Sequence, residues 1–174
     1  MLDAVRAVRA AENVDLNGQL AIWGHSQGGH AALWASQLAP AYAPEFEVAG
    51  TAALAPAADP PGLAEVLTSG RASAGLSVFV SWVLVPYANA YDDVHLADYV
   101  APGARSIVRE MTTRCPTEPG VVVSVIAALG VSEDRPLYPG DLTGGALGRR
   151  LAQNVPTGPY GAPVFVAWGS EDEI

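Results

Sequence analysis

Apolar residues recur along this chain at two periods, and the switches between them mark its elements. Leu2, Val5 and Val8 are spaced by three while Arg6, Arg9 and Glu12 face elsewhere, which predicts a surface helix near the start with one buried stripe. After a turn at 15–18, Gln19 to Trp23 is a short apolar run of strand length. Gln27 to Leu38 then places Ala31, Trp34, Ala35 and Leu38 at helical spacing, and Pro40 to Glu45 reads as a loop. Over 46–54, Phe46, Val48 and Gly50 alternate with Glu47, Ala49 and Thr51 before the wholly apolar Ala52-Ala53-Leu54. Strand, helix and strand in this order predict a right-handed βαβ unit whose strands are buried on both faces.

The texture changes at Asp59. Pro60-Pro61-Gly62 breaks the chain, and Leu63 to Thr68 reads as a short helix. Ala74 to Ala90 is apolar on most faces, yet the run Leu76 to Val85 is too short for a bilayer and is stopped by Pro86. Leu96 to Thr113 reads as helical with an interruption at Pro102-Gly103. Val121 to Leu129 is another apolar run, 136–145 a loop and Leu147 to Asn154 a last helix. Pro163 to Trp168 then reads as a buried strand, followed by Gly169-Ser170-Glu171-Asp172. The predicted class is α/β, a parallel sheet with flanking helices. Residues 1–58 and 151–174 form its core pieces, and 59–150 is a mostly helical insertion read as a cap over a greasy cleft, able to open at an oil interface.

One string sits where the first strand meets its helix: Gly24-His25-Ser26-Gln27-Gly28-Gly29. Gly-x-Ser-x-Gly at a strand-to-helix turn is the nucleophile elbow of α/β-hydrolases. A sharp turn there pushes the Ser26 hydroxyl out of the sheet, beside the N–H groups that open the helix, where an oxyanion would form. Gly24 and Gly28 are expected to allow the close backbone approach, and Gly29 to let the helix pack near the neighbouring strand. The bland alternative is a glycine-rich turn whose serine only caps the helix.

A serine hydroxyl needs a base, and the base needs a carboxylate that holds its tautomer. In this fold the order is Ser, Asp or Glu, then His. Asp172, at the C-terminal end of the last predicted strand, fits the acid; Asp59, Glu171 and Glu173 are its rivals. His25 precedes the serine, so in an elbow its side chain is expected to point away from the hydroxyl; His30 reads as a hydrogen-bonded structural residue and His95 as a solvated one, so the base is expected outside this chain.

Composition narrows the partners. Half of the 174 residues are hydrophobic and only 16% are charged, enough for a sizeable core. With nine basic residues against eighteen acidic, net −9, nucleic acid and anionic membrane surfaces are poor partners. Cys115 stands alone, no metal-ligand spacing exists, and no signal peptide or transmembrane segment is read from the chain.

The elbow, the run Ala52-Ala53-Leu54-Ala55-Pro56, and Asn154-Val155-Pro156 leading into Pro163 to Ile174 resemble the secretory lipase family, fungal and actinobacterial triacylglycerol lipases of the α/β-hydrolase superfamily. The resemblance covers the middle of the family's domain, so the chain reads as an internal segment. It implies Ser26 as nucleophile, Asp172 as triad acid, the Gln27 N–H as one oxyanion donor and the helical insertion as the lid. It also implies hydrolysis of lipid or small acyl esters, no cofactor and export from the cell. Cys115 would be a half-cystine whose partner lies in the family's N-terminal part. Acyltransferase, thioesterase or peptidase chemistry on the same fold stays open on these residues, as does a non-catalytic binding module.

Overall fold

The computed structural model describes residues 1–11, 17–68, 76–115, 118–120, 122–123, 126 and 137–172. The predicted turn at Asp15, most of the Val121–Leu129 run and the candidate acid Glu173 lie outside these residues. The chain divides into two compact units, one of residues 1–58 with 155–174 and the other of residues 59–154.

The first unit is a parallel three-stranded sheet in the order β1-β2-β3, with β1 over Gln19–His25, β2 over Glu47–Leu54 and β3 over Val164–Ala167. Helix α1 covers Leu2–Ala11 and helix α2 Gln27–Tyr42. Leu2, Ile22, Ala32, Ala39, Ala43 and Phe46 form the core between helices and sheet. Burying an isoleucine or a phenylalanine of this kind stabilises by roughly 1.5–3 kcal/mol. The N-terminal stripe is shorter than its spacing predicts: Leu2 is buried and Val5 half-buried, but Val8 is exposed. On α2 the inward residues are Gly29, Ala32, Leu33, Ser36 and Ala39, while Ala31 and Leu38 face out. The inward stripe is therefore rotated from the predicted one. Apart from Leu33 the inward residues are small, and neither Trp34 nor Leu38 is among them, which lets the helix lie close to the sheet.

One boundary and one register also differ. The helix runs on through Pro40 to Tyr42, where the sequence predicts a loop, and ends as Ala43 N–H donates to the Ala39 carbonyl at 2.8 Å. Proline so near the end removes one hydrogen bond, that to the Ser36 carbonyl, and buried Ala39 keeps the turn packed. In β2 the pairing skips Ala49: Leu20 faces Val48 but Ala21 faces Gly50. This bulge switches which residues point inward, from Phe46 and Val48 to Thr51 and Ala53.

Burial on both faces of the sheet is not observed. Trp23 and Phe165 stand at the same level through Ala52, on the side away from Ile22, and are 69% and 62% exposed. β3 is an edge strand, not the buried one its apolar sequence predicts.

The second unit contains helices α3 (Pro60–Thr68), α4 (Leu76–Ala90), α5 (Leu96–Tyr99), α6 (Arg105–Met111) and α7 (Gly145–Gln153). A 3-10 turn at Pro102–Ala104 precedes α6. Leu84, Val94, Val100, Val108, Met111, Leu147 and Leu151 make its core. Pro60-Pro61-Gly62 opens a helix instead of breaking the chain. Asp59 caps it, its Oδ1 accepting from Gly62 N–H at 3.1 Å, and proline suits a first turn that has no N–H bond to lose. Helix α4 continues past Pro86, whose ring faces solvent while Leu84 and Val85 are buried. No described helix is long and apolar enough to cross a membrane.

Candidate active site

The site begins with a turn that the sequence makes expensive. β1 ends at His25, α2 begins at Gln27, and Ser26 between them has φ 55° and ψ −122°. A non-glycine residue there carries on the order of 1–3 kcal/mol of strain. Ser26 occupies the N-cap position, yet its side chain makes no capping hydrogen bond, so the bland reading of a capping serine does not hold. The residue is exposed, and its hydroxyl has no hydrogen-bond partner among the described residues.

The backbone around it is fixed from several sides. Ser26 N–H donates to the Leu54 carbonyl at 2.9 Å. The Ser26 carbonyl accepts from His30 N–H at 3.1 Å and from Ala57 N–H at 3.2 Å. Close approach falls on Gly24 and Gly29. A Cβ at Gly24 would sit 2.1 Å from the Gly28 carbonyl oxygen, and one at Gly29 would sit 3.0 Å from Pro56 Cβ. At Gly28 an added Cβ meets nothing within 4 Å, which corrects the expectation that this glycine is sterically required. Beyond Ser26, the N–H groups of Gln27 and its successors open α2, and the first N–H groups of a helix lack intrahelical acceptors and carry the positive end of its dipole.

The strands are parallel and in register, His25 beside Leu54 and Leu54 beside Ala167. Ser26 and the segment after β3 therefore emerge at the same end of the sheet, beyond the C-terminal ends of its strands, two strand spacings or roughly 10 Å apart. That segment turns at Gly169–Asp172, where Asp172 N–H donates to the Gly169 carbonyl at 3.3 Å, and Asp172 is exposed. Asp59 is committed as the cap of α3, and Glu171 is exposed beside Asp172.

The histidines are accounted for in other ways. His30 Nε2 accepts from Trp34 Nε1–H at 3.2 Å, one turn along α2. His95 is exposed in the second unit, at the start of α5. His25 is the last residue of β1. Cys115 is an exposed free thiol.

Sequence reasoning misses one residue at this end of the sheet. Ala55, directly after β2, has φ 40°. The residue before a proline is normally extended, so the Ala55-Pro56 pair gives no hint of it.

The profile of the family described as secretory lipase matches residues 1–134. The chain belongs to the secretory lipase family. Among relatives, Lipase A of Moesziomyces aphidis is 40% identical over 50 residues, 29% of this chain and 11% of that protein. Lipase 6 of Candida albicans is 31% identical over 121 residues, 66% of this chain and 25% of that protein. Among solved structures, Candida antarctica lipase A in its closed state superposes with a TM-score of 0.71 at 19% identity, over 99% of this chain and 41% of that one. A ligand-bound form of the rice cell wall degrading esterase LipA from Xanthomonas oryzae gives 0.68 at 19% identity, over 98% of this chain and 48% of that one. The secretory lipase chain thus spans at most a quarter of these relatives' sequences and under half of these solved chains. Its fold is that of the α/β-hydrolases.

Proposed function

We propose that the protein carrying this chain hydrolyses carboxylic esters with acyl chains, a triacylglycerol or a related lipid or small ester, through Ser26. The observation that carries this reading is exposed Ser26, whose hydroxyl has no hydrogen-bond partner among the described residues, on a strained turn in a secretory lipase fold. A strained turn costs stability and has little purpose unless the serine reacts.

In this reading the Ser26 oxygen attacks the ester carbonyl while a histidine, carried outside this chain, takes its proton. The tetrahedral oxyanion receives the Gln27 N–H at the start of α2. Collapse breaks the ester C–O bond, and the imidazolium returns the proton to the leaving alkoxide. Water then repeats the sequence on the acyl-serine. Asp172 orients the histidine from the turn after β3. Residues 59–150 serve as the cap, with apolar surface for acyl chains or an oil–water interface. No cofactor takes part, and nucleic acid is not a partner. The family's description supports export from the cell, and a chain lacking the histidine is expected to be inactive.

The test is hydrolysis of p-nitrophenyl acyl esters by the whole protein and its Ser26→Ala variant. Loss of the nucleophile is expected to lower kcat by roughly 10⁴-fold or more. A variant as fast as its parent contradicts the assignment. Side-by-side assays on a triglyceride, a peptide amide and an acyl thioester distinguish lipase chemistry from its rivals on this fold.

A further inference from the structure

We propose that Ala55, Pro56 and Ala57 form a positioning strap for the nucleophile, with the left-handed φ of Ala55 as its setting. The inference rests on the reading of Ser26 as nucleophile.

The chain leaving β2 has two obligations within three residues. Ala55 N–H continues the ladder to β3, donating to the Ala167 carbonyl at 2.6 Å. Ala57 N–H instead reaches back to the other neighbour, donating to the Ser26 carbonyl at 3.2 Å. In an extended strand the N–H groups of residues two apart point to the same side, so Ala55 and Ala57 can serve opposite neighbours only if the chain turns between their N–H groups, and the reversal falls at Ala55, where φ is 40°. Pro56, between them, packs against α2 so closely that a Cβ on Gly29 would lie 3.1 Å from its Cα. Just upstream, the Leu54 carbonyl takes the Ser26 N–H at 2.9 Å. The segment 54–57 thus holds the peptide groups on both sides of Ser26, and through Ala55 it ties them to the end of β3, the strand that leads to Asp172.

The consequence concerns rate. Ser26 is exposed and its hydroxyl has no hydrogen-bond partner among the described residues, so the oxygen's position is set by the backbone that carries it. Displacement of a reacting atom by about 1 Å can cost on the order of 10²-fold in rate. The strap is therefore expected to act on kcat and not on substrate binding. It also explains strain at two adjacent places, since relaxing either Ser26 or Ala55 would disturb the hydrogen bonds that join Ser26 to Leu54 and Ala57.

The test uses the whole protein and an acyl p-nitrophenyl ester, with Ala55→Gly and Ala55→Val. Glycine adopts φ 40° freely and is expected to keep kcat within about twofold of the parent. Valine, branched at Cβ, disfavours that φ. It is expected to lower kcat by about tenfold or more with KM within about twofold, and to slow fluorophosphonate labelling of Ser26 in step. A folded Ala55→Val protein with parental kcat overturns the strap, as does a Gly variant that loses as much as the Val variant, because a lost methyl contact would then explain both. Should Ala55→Val not accumulate as folded protein, Pro56→Gly carries the test, since it adds no atoms and loosens the same segment; kcat within twofold of the parent overturns the proposal. A parent that neither hydrolyses the ester nor takes the label at Ser26 defeats the underlying reading and the strap with it. An active parent with indifferent variants defeats the strap alone.

Discussion

At the scale of single residues, the elbow is a matter of missing atoms. Gly24 passes so near the first turn of α2 that a methyl group would overlap the Gly28 carbonyl, whereas Gly28 itself faces open space. The two glycines of one motif should then respond in opposite ways to alanine. Gly24→Ala is expected to destabilise by about 3 kcal/mol or more, since overlap with backbone cannot be relieved by a rotamer change. Gly28→Ala is expected to be neutral, or to stabilise by up to about 1 kcal/mol through the better helix propensity of alanine. Denaturant midpoints measured at constant slope separate these outcomes, and equal losses at the two positions contradict the steric account. The motif string makes Ser26 and Gly24 legible in the sequence. It cannot rank Gly28 against Gly29, because both lie at the helix start and only the positions of Pro56 and the Gly24 carbonyl distinguish them.

At the scale of elements, the second unit joins the end of α4 to α7 through one carboxylate. Arg150 Nε donates to Asp93 Oδ1 at 2.9 Å, Arg149 stands at 3.5 Å from Oδ2, and the Arg150 guanidinium lies 4.6 Å over the Tyr91 ring. Asn154 Nδ2 adds a bond to the Tyr91 hydroxyl at 2.9 Å. The hydrogen bond from Arg150 holds the Asp93 carboxyl below the usual aspartate range. A carboxylate lowered in the folded state contributes stability that is complete above its unfolded pKa and lost as pH falls through its folded one. Unfolding of this unit should therefore become easier on acidification below the ordinary aspartate range, and Asp93→Asn should flatten that part of the pH profile. An unchanged acid limb in the Asn variant, followed by circular dichroism, contradicts the linkage. Leu84 is 1% exposed at the centre of the same unit, and Leu84→Ala is expected to cost about 2–5 kcal/mol in the same measurement. A loss below about 1 kcal/mol would mean that the apolar cluster is not its core.

Helical periodicity finds most of these elements, but prolines mislead it. Pro40 and Pro86 lie inside helices and Pro60 opens one, although each reads locally as a stop. A proline removes one backbone bond, and packing of Ala39 or of Leu84 and Val85 outweighs that loss. Such packing is tertiary and has no local signature. The same limit explains the rotated stripe of α2. The sequence contains both the large residues, Trp34 and Leu38, and the small ones, Ala32 and Ser36, and only the sheet decides which set faces it.

At the largest scale, the first unit is a sheet whose helices leave one side uncovered. Trp23 and Phe165 stand exposed on that side, and Trp168 follows β3 at 71% exposure. An apolar sheet face and open strand edges associate in water. The 174-residue chain expressed by itself is expected to self-associate, and Trp23→Ser with Phe165→Ser to reduce this, as read by light scattering after gel filtration. A monodisperse monomer of the unaltered chain contradicts the expectation. Hydrophobic patterning identifies these strands, but an apolar residue reads the same whether or not its face has found a partner. The functional claim rests at this scale too, because Ser26 and the turn of Asp172 share one end of the sheet only through the parallel order of three strands.

The most direct measurement is the mass of the Ser26 peptide after the whole protein meets an alkyl fluorophosphonate. An activated serine forms a covalent phosphonyl ester, so one adduct is expected, located on Ser26 and absent from Ser26→Ala. An active esterase whose label falls on another residue, with the Ser26 peptide unmodified, contradicts the role given to Ser26.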